Sequence, residues 1–153
     1  MNELEFQQLA QQGYTRIPVL AEARADLYTP LAVYLKLAGG SYSYLLESVV
    51  GGERFGRYSF IGLPARSVVR VRAHLLTLET DGEVVEEHSL PDPLAFIAEY
   101  QARFKAAPVA RLPRFTGGLA GYFGYDTIRY IEKRLAATRK DDVLRTPDIL
   151  LML

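Results

Sequence analysis

The sequence predicts an α+β fold of antiparallel hairpins packed with flanking helices, and three observations carry that expectation. The runs Leu75 to Thr80 and Glu83 to His88 are separated only by Asp81-Gly82, a strong two-residue hairpin signal. A third run, Arg66 to Arg72, alternates apolar and basic residues just ahead of them. Helix starts are marked at Asn2 with Glu5, at Thr29-Pro30 and at Asp92-Pro93.

Taken in order, Asn2 and Glu5 form a capping box for a first short helix that Gly13 ends. Arg16 to Leu20 is an extended piece, with Pro18 marking an edge or a strand end. Thr29 caps a second helix with Leu31, Tyr34, Leu35 and Ala38 at helical spacing, stopped by Gly39-Gly40. Ser41 to Val50 alternates and is rich in Tyr, Leu and Val, which predicts a strand broken by Gly51-Gly52. After the central hairpins, the Asp92-capped helix is expected to turn Leu94, Ile97, Ala98 and Phe104 to the core. Lys105 to Pro113 is a loop, and Gly117 to Tyr125 a strand interrupted by glycines. Asp126 is expected to cap a helix carrying Ile128, Tyr130, Ile131 and Leu135, with Thr138 to Arg145 a solvated loop. The closing run Ile149 to Leu153 is uniformly apolar, which suits a strand buried on both faces. Ending inside such a run predicts a truncated chain whose last residues, left alone, present an apolar edge, the alternative being a natural C-terminal strand that completes the sheet.

At 153 residues the chain has room for one domain, and 49% hydrophobic against 24% charged residues is the balance of a folded one. Lys+Arg and Asp+Glu are 18 each, so the basic excess of a nucleic-acid binder is missing. There is no cysteine, which removes disulfides, thiolate metal sites and cysteine nucleophiles and permits a reducing cytosol. The acidic start Met1-Asn2-Glu3-Leu4-Glu5 is unlike a signal peptide, and no apolar run nears the roughly 20 residues that span a bilayer.

Catalytic chemistry is thin. His74 and His88 flank the hairpin without metal-ligand spacing and fit ordinary strand-end residues. Glu86-Glu87 and Asp141-Asp142 are adjacent pairs, and neighbours on a strand face opposite ways, so they suit surface charge better than a shared acid–base site. Gly117 to Gly124 matches neither a P-loop nor the dinucleotide fingerprint. A different chemistry suits Glu47, Ser48 and Arg57 among Leu and Tyr residues. A free amino acid needs an acceptor for its ammonium, donors for its carboxylate and an apolar wall. Glu47 and Arg57 fit a plain ion pair between strands as well, and spacing alone favours that reading.

Three further blocks stand in register along the chain. They are Leu45-Leu46-Glu47-Ser48 with the following Gly-Gly-Glu-Arg-Phe-Gly-Arg-Tyr-Ser-Phe-Ile-Gly, then Pro113 to Asp126, and then Arg129-Tyr130-Ile131-Glu132 with Pro147 to Leu153. Together they resemble the N-terminal domain of anthranilate synthase component I, over essentially the whole of residues 1–153. The resemblance implies a cytoplasmic enzyme that converts chorismate and ammonia into anthranilate and pyruvate with Mg²⁺, in tryptophan biosynthesis. It places the chorismate and Mg²⁺ site in a C-terminal domain absent from this chain, leaving no catalytic or metal residue here. A glutamine amidotransferase subunit, component II, would supply the ammonia, and L-tryptophan would bind as feedback inhibitor. The family's inhibitor site is centred on the motif at Leu46, Glu47 and Ser48, and Arg57 and Tyr58 complete the candidate set on a stretch of variable length. The corresponding domain of aminodeoxychorismate synthase component I and a free-standing amino-acid-binding module are the alternatives. No nucleic acid or membrane partner is expected.

Overall fold

The computed structural model describes residues 1–48, 56, 58–110, 112–113, 115–136 and 143–153. Helices α1 (Glu3–Gln11) and α2 (Pro30–Leu37) precede a two-stranded sheet of β1 (Tyr44–Glu47) and β2 (Ser59–Gly62). Strands β3 (Ser67–Arg72), β4 (Leu75–Thr80) and β5 (Glu83–Ser89) then lead to helix α3 (Pro93–Ala102). Strand β6 (Ala120–Phe123), helix α4 (Ile128–Ile131) and strand β7 (Ile149–Met152) complete the order. The larger sheet runs β5-β4-β3-β7-β6, and every pairing in both sheets is antiparallel.

Local chemistry sets the elements. Asp81 and Gly82 both take positive φ, +53° and +86°, the paired left-handed geometry that matches strand twist in a two-residue hairpin. Asn2 and Glu5 form the expected capping box, each side chain meeting the other's backbone N–H at 2.9 Å. Thr29 caps α2 by accepting from Ala32 N, and Asp92 caps α3 by accepting from Leu94 N and Ala95 N.

The core follows from strand register. Leu78, Val69 and Leu151 line up across β4, β3 and β7, and Leu76, Val71 and Ile149 form the next row. Val71, Leu76 and Ile149 are 0% exposed, and α3 lays Ile97 and Tyr100 on the cluster. Each such aliphatic side chain removed from water is worth about 1.5–3 kcal/mol, which ties helix to sheet. The opposite face of the sheet is held by a fork from Arg70 to Glu79 at 2.8 and 3.0 Å. Arg70 also donates to the Tyr42 hydroxyl at 2.6 Å, linking the loop before β1 to that face.

Several expectations are corrected. Strand β7 is no edge: it lies inside the sheet between β3 and β6, and only Ile149 and Leu151 are buried, with Leu150 and Met152 half-buried on the other face. In α3 the core position is Tyr100, three residues on from Ile97, while Ala98 is exposed. Leu31 and Leu35 of α2 are 52% and 68% exposed, because that helix packs on the small β1–β2 sheet through Ala38 and its half-buried neighbours. Asp126 is not an N-cap but lies inside a 3₁₀ turn, Tyr125–Thr127, where its carboxylate accepts from Arg129 Nε at 2.9 Å. The Arg16 to Leu20 piece reduces to one parallel bridge between Arg16 and Ala106. The Ser41 to Val50 strand spans Tyr44–Glu47, and Val49 and Val50 lie outside the described residues. Most of the Thr138 to Arg145 loop, Asp141-Asp142 included, also lies outside them.

Candidate functional site

Of the candidate residues, Leu46 and Glu47 lie on β1, and Ser48 and Tyr58 adjoin the paired ends of β1 and β2. The β1–β2 ladder pairs Tyr44 with Gly62, Leu45 with Ile61, Leu46 with Phe60 and Glu47 with Ser59. Gly62 makes room for the Tyr44 ring: a Cβ at this position would fall on that ring unless it turned aside. The hairpin is fastened to α2 through Ser43, whose Oγ lies 3.0 Å from Ala38 O, 2.9 Å from Gly40 O and 3.1 Å from the Tyr34 hydroxyl.

Alternation sorts the site into two sides. Leu46 and Phe60 share one face, and the strand period, continued one step past the ladder, would carry Ser48 and Tyr58 to it. That face is aromatic: Tyr58 lies 6.2 Å from Phe60, which meets Phe115 edge-on at 5.2 Å. Leu46 and Tyr58 are 54% and 52% exposed, so the surface is open to a ligand. Glu47 belongs to the opposite face, beside Leu45 and Ile61, at the end of the described ladder. Arg57 lies outside the described residues, and so does the strand-to-strand ion pair expected of it. Phe60 and Phe115 were not among the expected site residues. Phe60 was within reach of the alternation from Tyr58, whereas Phe115 arrives from a distant loop that no local pattern announces.

Elsewhere the polar groups have structural employment. His74 Nδ1 lies 3.1 Å from Leu90 O, and the hydroxyl of Tyr130 spans Ala73 O at 2.6 Å and Asp148 Oδ2 at 2.8 Å. On β5, Glu86 meets His88 Nε2 and Arg103, each at 3.2 Å. The hydrogen bond from His88, aided by Arg103, holds the Glu86 carboxyl below the ordinary carboxylate range. A groove of about 340 Å³ lies between Arg16, Phe104 and Gly117-Gly118, and none of Leu46, Glu47, Ser48 and Tyr58 lines it. Among the described residues no three of His, Asp and Glu gather into a set that could hold a metal ion. No helix among the described residues is long and apolar enough to cross a membrane.

No protein-family model matches the chain. Over 152 residues the chain is 55% identical to "Anthranilate synthase component 1" of Pseudomonas putida, covering 99% of this chain and 31% of the relative. The protein of the same name from Pseudomonas aeruginosa is 56% identical over 152 residues with the same coverage. Over nearly its whole length the chain is similar to the anthranilate synthase component 1 proteins, as an N-terminal fragment of one would be. The relationship reaches far: the Aquifex aeolicus anthranilate synthase component 1 is 38% identical over 143 residues, 93% of this chain and 28% of that one. The chain spans about a third of the length of the curated relatives it matches (31%). Because the match leaves almost no residue out, every strand of both sheets belongs to the anthranilate synthase component 1 likeness, the β1–β2 hairpin with its Leu-Leu-Glu-Ser motif included.

Proposed function

We propose that this chain is the N-terminal, tryptophan-sensing part of an anthranilate synthase component 1. The full-length protein would convert chorismate and ammonia into anthranilate and pyruvate in the cytoplasm, with component II, a glutamine amidotransferase, supplying the ammonia. Mg²⁺ and chorismate would be held by the part of the protein outside residues 1–153. The observation that carries the sensing role is the convergence of Leu46, Tyr58 and Phe60 on one open hairpin face, with Ser48 following at its end. An indole ring gains apolar and edge-on aromatic contact on such a face. The head group then sits at the strand end, its carboxylate accepting from the Ser48 hydroxyl and from Arg57. Glu47 receives the ammonium around the end of the ladder.

Inhibition is a coupling between this hairpin and the distant chorismate site. Couplings of this kind are about 1–3 kcal/mol and reciprocal, so chorismate weakens tryptophan binding by the same factor. The test is Ser48→Phe in the full-length enzyme. A hydrogen bond to a charged group is worth about 1.5–3 kcal/mol, roughly ten- to a hundredfold in inhibitor affinity. Inhibition by tryptophan is therefore expected to be lost while ammonia-dependent activity and melting temperature are kept, and Glu47→Ala should act in the same direction. Unchanged inhibition in a well-folded Ser48 variant overturns the assignment.

A further inference from the structure

The two outer strands of the five-stranded sheet are treated in opposite ways. Strand β5 carries Glu83, Glu86 and Glu87, and its register against β4 shifts between Leu78 and Glu79. Charge and irregularity are the usual means of keeping an edge from pairing. Strand β6 has neither defence: the sequence holds no charged residue between Arg114 and Asp126. Tyr122 and Phe123 are 41% and 54% exposed, and the apolar surface continues through Tyr125, Ile128 and Ile131, which are 93%, 39% and 67% exposed.

The hydrogen-bond phase shows what this edge offers. Leu153 N donates to Ser67 O at 3.0 Å, and Gly124 N donates to Asp148 O at 2.7 Å. Antiparallel ladders alternate, so Ile149 and Leu151 bond towards β3, while Leu150 and Met152 bond towards β6, as does the carbonyl of Asp148, whose N–H donates to Val71 O at 2.8 Å. Ala120 and Tyr122 are thus spent on β7, and the N–H and C=O groups of Gly121 and Phe123 point outwards.

We propose that the outer edge of β6, which no described strand covers, receives a further strand from the same polypeptide, contributed by the two-thirds of the relatives' length that lies outside the matched region. The occupant follows from size. A stable interface between separate chains buries about 1,200–2,000 Å², far more than a four-residue edge provides. A segment tethered in the same chain is held at high effective concentration and can use so short an edge. The uncharged, aromatic surface on both sides of β6 suits a strand whose side chains are equally apolar.

The test is residue-resolved amide exchange on the full-length protein without component II. Gly121 and Phe123 are compared with Glu87 and Ser89 of the guarded edge. Leu90 N donates to His74 O, so the alternation turns Glu87 and Ser89 outwards as well. Gly121 and Phe123 are expected to exchange at least about tenfold more slowly than Glu87 and Ser89, independently of protein concentration. Equal exchange at both edges overturns the proposal, and so does protection that fades on dilution, which assigns the edge to a second copy. Loss of the tryptophan-site reading leaves this result untouched, because β6 contains none of its residues.

Discussion

At the scale of single residues, the turn between β3 and β4 shows how side chains hold an unfavourable backbone. Ala73 sits at φ +51°, a left-handed position that costs an L-residue roughly 1–2 kcal/mol. Asp148 Oδ2 accepts from Ala73 N at 2.6 Å, and the Tyr130 hydroxyl closes the bracket at 2.6 Å from Ala73 O. Tyr130→Phe is expected to cost about 1–3 kcal/mol by removing the hydroxyl's hydrogen bonds to Ala73 O and Asp148 Oδ2, as thermal unfolding should show. Ala73→Gly is expected to raise the melting point, since about 0.5–1 kcal/mol of net relief remains after glycine's larger entropy loss. Gly121 presents the reverse case. Its Cβ would fall on the Leu150 backbone carbonyl, which cannot swing aside as the Tyr44 ring can opposite Gly62. Gly121→Ala should therefore destabilise the fold clearly more than Gly62→Ala in parallel melts.

At the scale of elements, α3 is tied to the sheet by Ile97 and Tyr100. Ile97→Ala is expected to cost about 2–5 kcal/mol by opening a cavity above Val71 and Leu76, whereas Ala98→Ser, one residue on and exposed, should leave denaturant midpoints unchanged. That contrast marks where the amino-acid sequence was informative. Asp81-Gly82, Asn2 with Glu5 and Asp92-Pro93 act through their immediate neighbours, so the hairpin and the helix starts were legible. Facing was less so. Leu31 and Leu35 have perfect helical spacing but end in water, because spacing states that a helix has a stripe and leaves open which neighbour covers it. The candidate site divides along the same line: Leu46, Glu47 and Ser48 were visible as a motif, and the aromatic company of Phe60 and Phe115 depends on tertiary approach.

At the scale of the whole molecule, charge pairs set the acid limb of stability. Hydrogen bonds from Arg66 hold the Asp81 carboxyl below its ordinary range, and those from His88 and Arg103 do the same for Glu86. A carboxyl depressed in the folded state stabilises fully above its unfolded pKa of about 4 and loses that contribution as pH falls through the folded value. The melting temperature is expected to fall as pH is lowered below about 4, and Glu86→Gln should flatten that fall. The position of β7 has a consequence in time as well as in space. Strands β3, β4 and β5 pair with near neighbours in sequence, but Val71 must wait for Ile149, and β6 has no ladder partner until β7 arrives. Contacts of such separation form late and slowly. During synthesis, the α3-covered hairpins can collapse while the apolar flank of β3 stays bare until β7 leaves the ribosome. A nascent chain stalled before Ile149 should therefore be the aggregation-prone species, and chaperone occupancy measured on chains stalled on either side of that residue should drop once β7 is free to slot in.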